Sequence, residues 1–366
     1  MRIGIYADLS ASGALDGTEA VHGAELRVAQ ANASGGAGGR EVELVSVDVR
    51  QSPADAVKAY SQLAQAEAVC AVIGGMPAAG MSVSAVADLA RVPLVHLSMD
   101  DRQALPDLVV DSPDRTGTVR PFSFMVPATA VQESSALAAF AAARFPVSRY
   151  ATLFDPVSPV SILQARAFES AVRHRGRQVA ASVAMTDGGL DTAVSALRKS
   201  GAEAVYICAS VEADAAAAKA VRSALPTVLL LGNRAWGTPL APPAGLAAWD
   251  AWFCVPYSTD DRALRDLSSS FTKRFGVSFL PSAAAAWDAV GVILAAVRKA
   301  GTSDPVRVRD ALEQAKGFKV LLGTLDMDPR THRPLAPVVA IMRILDGAYR
   351  TEDPRYVLRA PPSPRP

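Results

Sequence analysis

Several charged and aromatic side chains stand just after apolar, strand-like runs, where a bound molecule could reach them. Arg234 offers a planar guanidinium fork that suits a carboxylate, and Trp236 follows it closely. Asp100 and Asp16 would suit an amine, amide or hydroxyl donor. These residue types predict binding of a small polar molecule that carries a carboxylate. Two alternatives remain, since charges are usually paired or exposed: Asp100 pairs with Arg234, or one of them points to solvent.

The sequence contains no recognisable motif for catalysis, metal binding or cofactor binding. Asp100 and Asp101 are adjacent and point in different directions, with no acid or nucleophile nearby, so a catalytic dyad is not expected. None of the histidines has a metal-motif spacing: they are His22, His96, His174 and His332. The glycine run 35–39 follows a helix and precedes a strand, the reverse of a dinucleotide site, and is read as a helix end. We therefore predict a non-enzyme without cofactor or metal.

Length and composition narrow the class of protein. A chain of 366 residues exceeds one ordinary core, so two domains are expected. Half of it is hydrophobic and 6% aromatic, which suits helices packed on sheets. Lys plus Arg is 37 and Asp plus Glu is 36, with no basic block, which argues against nucleic acid. No run approaches the roughly 18–20 apolar residues of a membrane span, so no direct span is expected.

Short β-branched runs alternate with longer helical patterns along the whole chain. Strands are predicted at 2–7, 41–48, 69–73, 92–97, 150–154, 178–184, 203–208, 227–231, 251–255 and 337–345. Helices are predicted from Pro53 behind a Ser52 cap, and at 161–175, 191–200, 212–224, 261–275, 282–300 and 304–316. This alternation indicates an α/β protein with parallel sheets flanked by helices on both faces.

The alternation restarts after residue 122, which predicts two α/β lobes. Open α/β sheets bind ligands beyond the carboxyl ends of their strands, at helix N-termini. The loops at those strand ends therefore supply the candidate ligand-binding residues. They are Ser10, Asp16, Gly75, Met76, Ala78, Ala79, Ser98, Asp100, Ser158, Ser210, Arg234 and Trp236. His96, at another strand end, is either a ligand contact or a structural histidine.

The ordered set of segments resembles the type I periplasmic binding protein family, in its branched-chain amino acid branch, from residue 2 to about 350. The phrases that carry the resemblance are Ile3-Gly-Ile-Tyr-Ala-Asp-Leu-Ser10, Gly23-Ala-Glu-Leu26, Asn32-Ala-Ser-Gly-Gly36, the stretch 48–56, Val72-Ile-Gly-Gly75, Val92-Pro-Leu-Val95, Ala286-Trp-Asp-Ala-Val290 and Leu322-Gly-Thr-Leu-Asp-Met-Asp328. No single phrase is specific, but their order is.

The resemblance implies two Rossmann-like lobes joined by three hinge crossovers, near 121–126, 255–259 and 328–336. Lobe 1 would be 1–122 plus 258–329, lobe 2 would be 123–257 plus 330–354, and 355–366 would be a frayed tail. It implies hinge closure on a small-molecule ligand captured between the lobes, with contacts in both favouring the closed form. It further implies a monomer that delivers the ligand to the permease of an ABC transporter.

The first lobe departs from the family at positions that hold the carboxylate of an amino-acid ligand. Ala78 stands where relatives place serine, and Asp100 stands where they place threonine. The backbone N–H groups of the first loop remain, but an ionised Asp100 would repel a ligand carboxylate. Asp16 occupies a position that is often aromatic.

The second lobe departs from the family at the tyrosines and at the acid that takes the ligand ammonium. Pro159 or Val160, and Ser210, stand at the tyrosine positions, and Arg234 stands where the acid would be. Compared with the family, the charges are therefore exchanged between the lobes, and the usual leucine-type pose is not expected.

A ligand-sensing domain of a regulator or receptor, similar to an amide sensor, is the alternative function. The chain starts directly before its first strand without a signal peptide, which mature exported proteins have lost. The resemblance implies a periplasmic or other extracytoplasmic location; a cytoplasmic one is the alternative, with which three unpaired cysteines agree. Cys70, Cys208 and Cys254 lie in apolar runs and are predicted to be buried small hydrophobes.

Overall fold

The computed structural model describes residues 1–10, 14–50, 52–75, 79–108, 110, 117–185, 189–237 and 244–358. The chain divides into two units. Unit 1 consists of Met1–Val109, Asp114–Thr129 and Thr259–Pro337, and unit 2 of Val110–Pro113, Ala130–Ser258 and Val338–Pro366. Apart from the short stretch Val110–Pro113, the polypeptide passes from one unit to the other after Thr129, Ser258 and Pro337.

Helices and strands alternate through most of the chain. The helices are α1 (Ala14–Ala33), α2 (Pro53–Gln65), α3 (Gly80–Ala90), α4 (Ala130–Arg144), α5 (Pro159–Arg173), α6 (Leu190–Ser200), α7 (Val211–Ala224), α8 (Arg262–Phe275), α9 (Pro281–Ala300) and α10 (Pro305–Glu313). The strands are β1 (Arg2–Ala7), β2 (Glu43–Asp48), β3 (Val72–Gly74), β4 (Leu94–His96), β5 (Ser123–Met125), β6 (Arg149–Phe154), β7 (Gln178–Ala184), β8 (Ala204–Cys208), β9 (Leu229–Gly232), β10 (Trp252–Val255), β11 (Phe318–Val320), β12 (Gly323–Leu325), β13 (Met327–Asp328), β14 (Arg333–Pro334), β15 (Val338–Leu345) and β16 (Ala348–Val357). Short 3-10 turns cover Asp101–Gln103, Arg234–Gly237 and Gly245–Ala248.

Unit 1 is built on a parallel five-stranded sheet in the order β2-β1-β3-β4-β5. Alternation along β1 sends Ile3 and Ile5 to the face that packs against α1 and α9, and Tyr6 to the face covered by α2 and α3. Gly4 lies on the second face, where an added Cβ would be 3.1 Å from Leu63 Cδ1. Both faces are thus covered by helices, as a parallel sheet requires.

Unit 2 is built on a seven-stranded sheet in the order β16-β15-β10-β9-β8-β6-β7. Strands β6 to β10 pair in parallel, whereas β15 pairs antiparallel with both β10 and β16. The prediction of parallel sheets therefore holds for the centre of this sheet and is corrected at its edge. The β15–β16 pair is antiparallel because only two residues, Asp346 and Gly347, separate the strands.

The predicted frayed tail is also corrected. Residues 355–357 belong to β16, where Val357 pairs with Val338 and Tyr356 with Val339. The backbone hydrogen bonds of this ladder order a segment whose composition gave no strand signal. Residues 359–366 lie outside the described part of the chain.

The two longest segments at which the unit boundaries differ from the predicted lobes are 123–129 and 330–337. Residues 123–129 belong to unit 1, because Ser123–Met125 pairs with β4 as the last strand of that sheet. Residues 330–337 also belong to unit 1, because Arg333–Pro334 pairs with β13. In both cases a strand of two or three residues was too short to be recognised in the sequence.

Local signals explain several helix ends. The Ser52 hydroxyl accepts a hydrogen bond from the Asp55 amide at 3.1 Å, and Pro53 is the first residue of α2, as predicted. Gly201 ends α6 in the left-handed conformation, with φ of 62°. All three cysteines are free and buried, which confirms their predicted role. Among the described helices, none is both long and apolar enough to cross a membrane.

Candidate functional site

In the loop after β1, Leu9 and Ser10 donate hydrogen bonds to the end of β2. Asp48, the last residue of β2, accepts hydrogen bonds from the Ser10 hydroxyl at 2.6 Å and from the Leu9 amide at 3.0 Å. These bonds, the Ser10 bond foremost, lower the pKa of Asp48. Ser10 is exposed, but its proton is committed to Asp48, so the hydroxyl would offer a ligand only an acceptor.

Asp16 lies exposed in the first turn of α1. A carboxylate in that position is stabilised by the partial positive charge of a helix N-terminus. Burial, and secondly the Asp16 charge, raise the pKa of the neighbouring Glu19. A structural role thus explains Asp16, and a ligand contact stays a prediction.

In the loop after β3, the described residues Gly75 and Ala79 offer a ligand backbone rather than side-chain groups. The Gly75 amide donates to the Tyr6 carbonyl at 2.9 Å, and an added Cβ at Gly75 would lie 2.8 Å from that same oxygen. Met76 and Ala78 lie outside the described residues. Ala79 is buried directly before α3 and makes no side-chain cap, so a ligand could satisfy the first N–H groups of this helix.

Ser98, Asp100 and Arg102 come together in the loop after β4. The Asp100 amide donates to the Ser98 hydroxyl at 3.1 Å. The Asp100 carboxylate accepts hydrogen bonds from the Arg102 Nε at 2.9 Å and Nη2 at 2.6 Å, and from the Arg102 amide at 3.1 Å. The acid that the sequence nominated is thus neutralised locally by an arginine that the sequence reasoning missed.

The two candidate serines of unit 2 both cap helices. Ser158 precedes α5, and its hydroxyl accepts from the Ser161 amide at 3.3 Å. Ser210 precedes α7, and its hydroxyl accepts from the Ala213 amide at 3.4 Å. Their capping role accounts for the residue type. Each helix begins beyond the carboxyl end of a strand, β6 or β8, where the ligand loops were predicted.

Arg234 forms an ion pair with Glu133 of α4, through Nε to Oε2 at 2.9 Å and through Nη2 to Oε1. The side chain of Glu133 is 2% exposed and that of Arg234 is 23% exposed. Burial opposes the charge of Arg234, but the Glu133 charge and hydrogen bonds outweigh it and raise the guanidinium pKa. The predicted cation therefore has an acidic partner 101 residues away, which no local pattern could have indicated.

Trp236 requires a correction. Its side chain is 0% exposed and lies in the hydrophobic core of unit 2. The turn Arg234–Gly237 folds the indole against Gly232 at the end of β9, where an added Cβ would lie 2.3 Å from Trp236 Cδ2. Because the ring has no exposed surface, the predicted ligand contact of Trp236 is contradicted.

A buried acid lies close to this tryptophan. Asp214, in the first turn of α7, is fully buried. Burial raises the pKa of Asp214 to about 8, and the nearby Ala209 amide and Trp236 indole N–H lower it only in part. The carboxyl group is therefore mainly protonated at neutral pH.

An amide pair supports the segment around Arg234. Asn233 Oδ1 accepts from the Ala235 amide at 2.9 Å, and its Nδ2 donates to Gln164 Oε1 at 3.3 Å and to the Ala209 carbonyl at 3.2 Å. This arrangement fixes the orientation of both amides, and Gln164 Nε2 has no acceptor among the described residues. Neither residue was expected from the sequence, because α5 and the end of β9 meet only in the folded unit.

His96 has a structural environment. Its Nε2 lies 3.1 Å from the Ser84 hydroxyl, and burial lowers its pKa to about 3, so the ring is neutral. Within the described residues, no group of three or more His, Cys, Asp and Glu side chains is arranged to hold a metal ion.

Comparisons with known proteins extend over nearly the whole chain. The family model described as periplasmic binding protein matches residues 1–348. No curated protein sequence gives a significant match. Among solved structures, the chain is similar to a putative branched-chain amino acid ABC transporter from Silicibacter pomeroyi, with 19% identity, a TM-score of 0.79, and coverage of 99% of this chain and 96% of that chain.

Two further structures show the same likeness. A putative branched-chain amino acid ABC transporter from Rhodospirillum rubrum has 21% identity and a TM-score of 0.78, covering 96% of this chain and 99% of that chain. The branched-chain amino acid transporter substrate binding protein LivJ from Streptococcus pneumoniae, in complex with isoleucine, has 20% identity and a TM-score of 0.73, covering 98% of this chain and 99% of that chain. At these identities the likeness shows a common fold.

Proposed function

Because the chain belongs to the periplasmic binding protein family, we propose that it binds a small polar solute outside the cytoplasm and delivers it to an ABC transporter. The similar solved structures include substrate-binding proteins of such transporters, and they match this chain over nearly their full length. The solute would contact loops at the carboxyl ends of the parallel strands.

The observation that carries the proposal is a pair of polar half-sites, one on each unit, at the carboxyl ends of parallel strands. In unit 1, Ala79 leaves the start of α3 without a side-chain cap. The loop after β4 holds Asp100 and Arg102 as an ion pair. In unit 2, the turn after β9 holds Arg234 against Glu133. Open α/β sheets bind ligands at such positions.

The charge balance of these half-sites favours a ligand without net charge. Each half-site contains one acid and one arginine already paired with each other, so neither offers an uncompensated charge to an anion. A zwitterionic amino acid or an amide could exchange hydrogen bonds with both members of a pair. The isoleucine in the LivJ complex is a ligand of this class. We therefore propose a neutral amino acid or amide.

A thermal-shift screen of the twenty amino acids, their amides and related carboxylic acids tests this function. At a concentration of 100 times Kd, a ligand stabilises the folded protein by about 2.7 kcal/mol. The sharpest comparison is L-leucine against 4-methylpentanoate, which has the same carbon chain without the ammonium group. We expect stabilisation by a neutral amino acid or amide and none by the matching carboxylate. A carboxylate that binds more tightly than every amino acid would contradict the proposed class.

Delivery to a transporter is tested separately in cells. Deleting the gene should reduce uptake of the compound identified by the screen, and restoring the gene should recover uptake. Fractionation of the native organism should place the protein outside the cytoplasm. Unchanged uptake together with a cytoplasmic location would instead support a sensor.

A further inference from the structure

The fully buried carboxylate of Asp101 joins three segments of unit 1 that are distant in the sequence. Its Oδ1 accepts a hydrogen bond from the Thr129 hydroxyl at 2.6 Å and another from Nη1 of Arg333. Asp101 and Thr129 are both completely buried, and Arg333 is nearly so. A buried carboxylate that lost either donor would be left poorly compensated, so the three segments are held as one.

The three residues lie at the loop of Asp100 and at two places where the chain passes between the units. Asp101 directly follows Asp100 and begins the 3-10 turn that contains Arg102. Thr129 is the last residue of unit 1 before the chain enters unit 2 at α4. Arg333 lies in β14, shortly before Pro337, where the chain leaves unit 1 again. One carboxylate thus links the loop of Asp100 to two of the chain passages.

His332, the residue before Arg333, fixes the segment around Arg333 by further contacts. The Met125 amide donates to the His332 carbonyl at 2.9 Å, and the His332 Nδ1 lies 3.0 Å from the Ser123 carbonyl. Its ring stacks on Phe124 with 4.2 Å between the centroids. His332 has a φ of 51°, a left-handed conformation that a non-glycine residue keeps only where its surroundings enforce it. Arg333 is therefore attached to a well-fixed backbone.

We infer that Asp101 is a positioning residue that couples the ligand loop of Asp100 and Arg102 to the passages at Thr129 and Arg333. A solute that orders the loop also orders both passages, because all three share one buried carboxylate. The inference rests on the proposed function in one respect, that the loop after β4 contacts the solute.

The test uses four variants of the full chain. Asp101→Asn keeps the shape and removes the charge, Arg333→Met removes the partner charge, and the double variant removes both. Asp88→Asn is the matched control, because Asp88 also belongs to unit 1 and also forms an ion pair with an arginine. Its carboxylate lies 2.9 Å from Nη1 of Arg120. All are first compared by native-state hydrogen exchange without ligand.

Without ligand, Asp101→Asn should increase exchange jointly in 98–105, 126–133 and 331–337, and Asp88→Asn should not. An increase confined to 98–105 would overturn the inference. This readout does not depend on any solute, so it decides on the coupling even if no amino acid binds. Failure of every amino acid and amide to bind the wild type would count against the proposed function only.

The second experiment repeats the hydrogen exchange with L-leucine, or with the amino acid that gives the largest thermal shift in the screen. In the wild type it should protect amides around Thr129 and Arg333, and in Asp101→Asn this protection should vanish while Kd rises by about fivefold or more. The double variant should recover stability, because no buried charge stays unpaired, but it should not recover the protection. Recovery of both in the double variant would show a purely structural role and overturn the inference.

Discussion

Asp100 and Arg102 form a two-point ion pair, with the Arg102 Nε 2.9 Å from Oδ1 and Nη2 2.6 Å from Oδ2 of the carboxylate. The hydrogen bonds of this pair, ahead of its charge, raise the pKa of the guanidinium against the opposing effect of burial. The sequence presents Asp100 as a negative group ready for a ligand amine. The structure presents a neutral pair in which the arginine keeps further N–H groups for an acceptor.

Replacing Asp100 with asparagine should change which ligands bind more than it changes stability. Asparagine keeps the acceptor for the Arg102 amide and remains a good helix cap, but it leaves the guanidinium uncompensated. The ratio of affinities for 4-methylpentanoate and L-leucine, measured by calorimetry, should rise by about tenfold, or 1.4 kcal/mol. The free energy of unfolding should change by less than about 1 kcal/mol, since the pair is partly exposed.

The control for this change is Asp55→Asn, which alters the net charge by the same amount. Asp55 pairs with Lys58 at 3.1 Å on the exposed side of α2. It should leave the affinity ratio unchanged. An equal rise in both variants would mean that overall charge, rather than Arg102, governs the preference.

Glu133→Gln should destabilise unit 2 strongly. The glutamate is almost completely buried against Arg234, and losing one member of a buried pair costs about 3–5 kcal/mol because the other charge is left uncompensated. Urea denaturation followed by circular dichroism measures the loss. Adding Arg234→Met should recover part of it. Asp266→Asn is the control, since Asp266 and Arg262 are exposed and 4.0 Å apart, and it should change the free energy by less than about 0.5 kcal/mol.

The sequence predicted the α/β alternation well because the longer elements carry strong local signals. The strand 178–184 was placed at its observed bounds, and α2 begins behind its predicted serine cap. The elements that were missed have weak signals. Strand β5 has three residues, and β16 contains a proline and four charges within ten residues, so neither shows an apolar period. Their pairing with neighbouring strands supplies the order that composition does not.

The site was less predictable than the fold, for reasons visible in three residues. The partner of Arg234 lies on α4, far away in the sequence, and reaches it only through folding. Trp236 stands in a loop-like sequence, and only the close approach allowed by Gly232 shows that the ring turns inward. Whether a loop residue is available to a ligand thus depends on its tertiary partners, whereas helix caps depend on local sequence.

The buried acid Asp214 should make the protein less stable as the pH rises. Its pKa in the folded protein is about 8, above the value near 4 of an unfolded aspartate, so the folded state holds a proton that the unfolded state releases. The stabilisation is complete below about pH 4 and is lost as the pH rises towards the folded value. Asp214→Asn cannot ionise and should be more stable than the wild type at pH 8–9, with a smaller or no advantage at pH 4.

Thermal or urea unfolding at pH 4, 6, 8 and 9 measures this difference. The control is Asp191→Asn, an exposed aspartate in the first turn of α6. It should leave the pH dependence of the unfolding free energy unchanged. A wild-type profile that runs parallel to that of Asp214→Asn would show that the carboxylate is solvated in the folded protein.

Trp236→Phe should lower the stability of the protein without changing its affinity for the ligand. The indole is packed in the core of unit 2, so the smaller ring leaves unfilled volume and should lower the free energy of unfolding by about 1–3 kcal/mol. Because the ring has no exposed surface, the Kd for the amino acid found in the screen should stay within about twofold, below 0.5 kcal/mol. Calorimetry at a temperature where the variant is fully folded measures that Kd. Trp249→Phe, at a half-exposed tryptophan of the same unit, is the control and should change neither quantity appreciably. A large loss of affinity in Trp236→Phe, with stability unchanged, would restore the ligand contact that the burial of this side chain excludes.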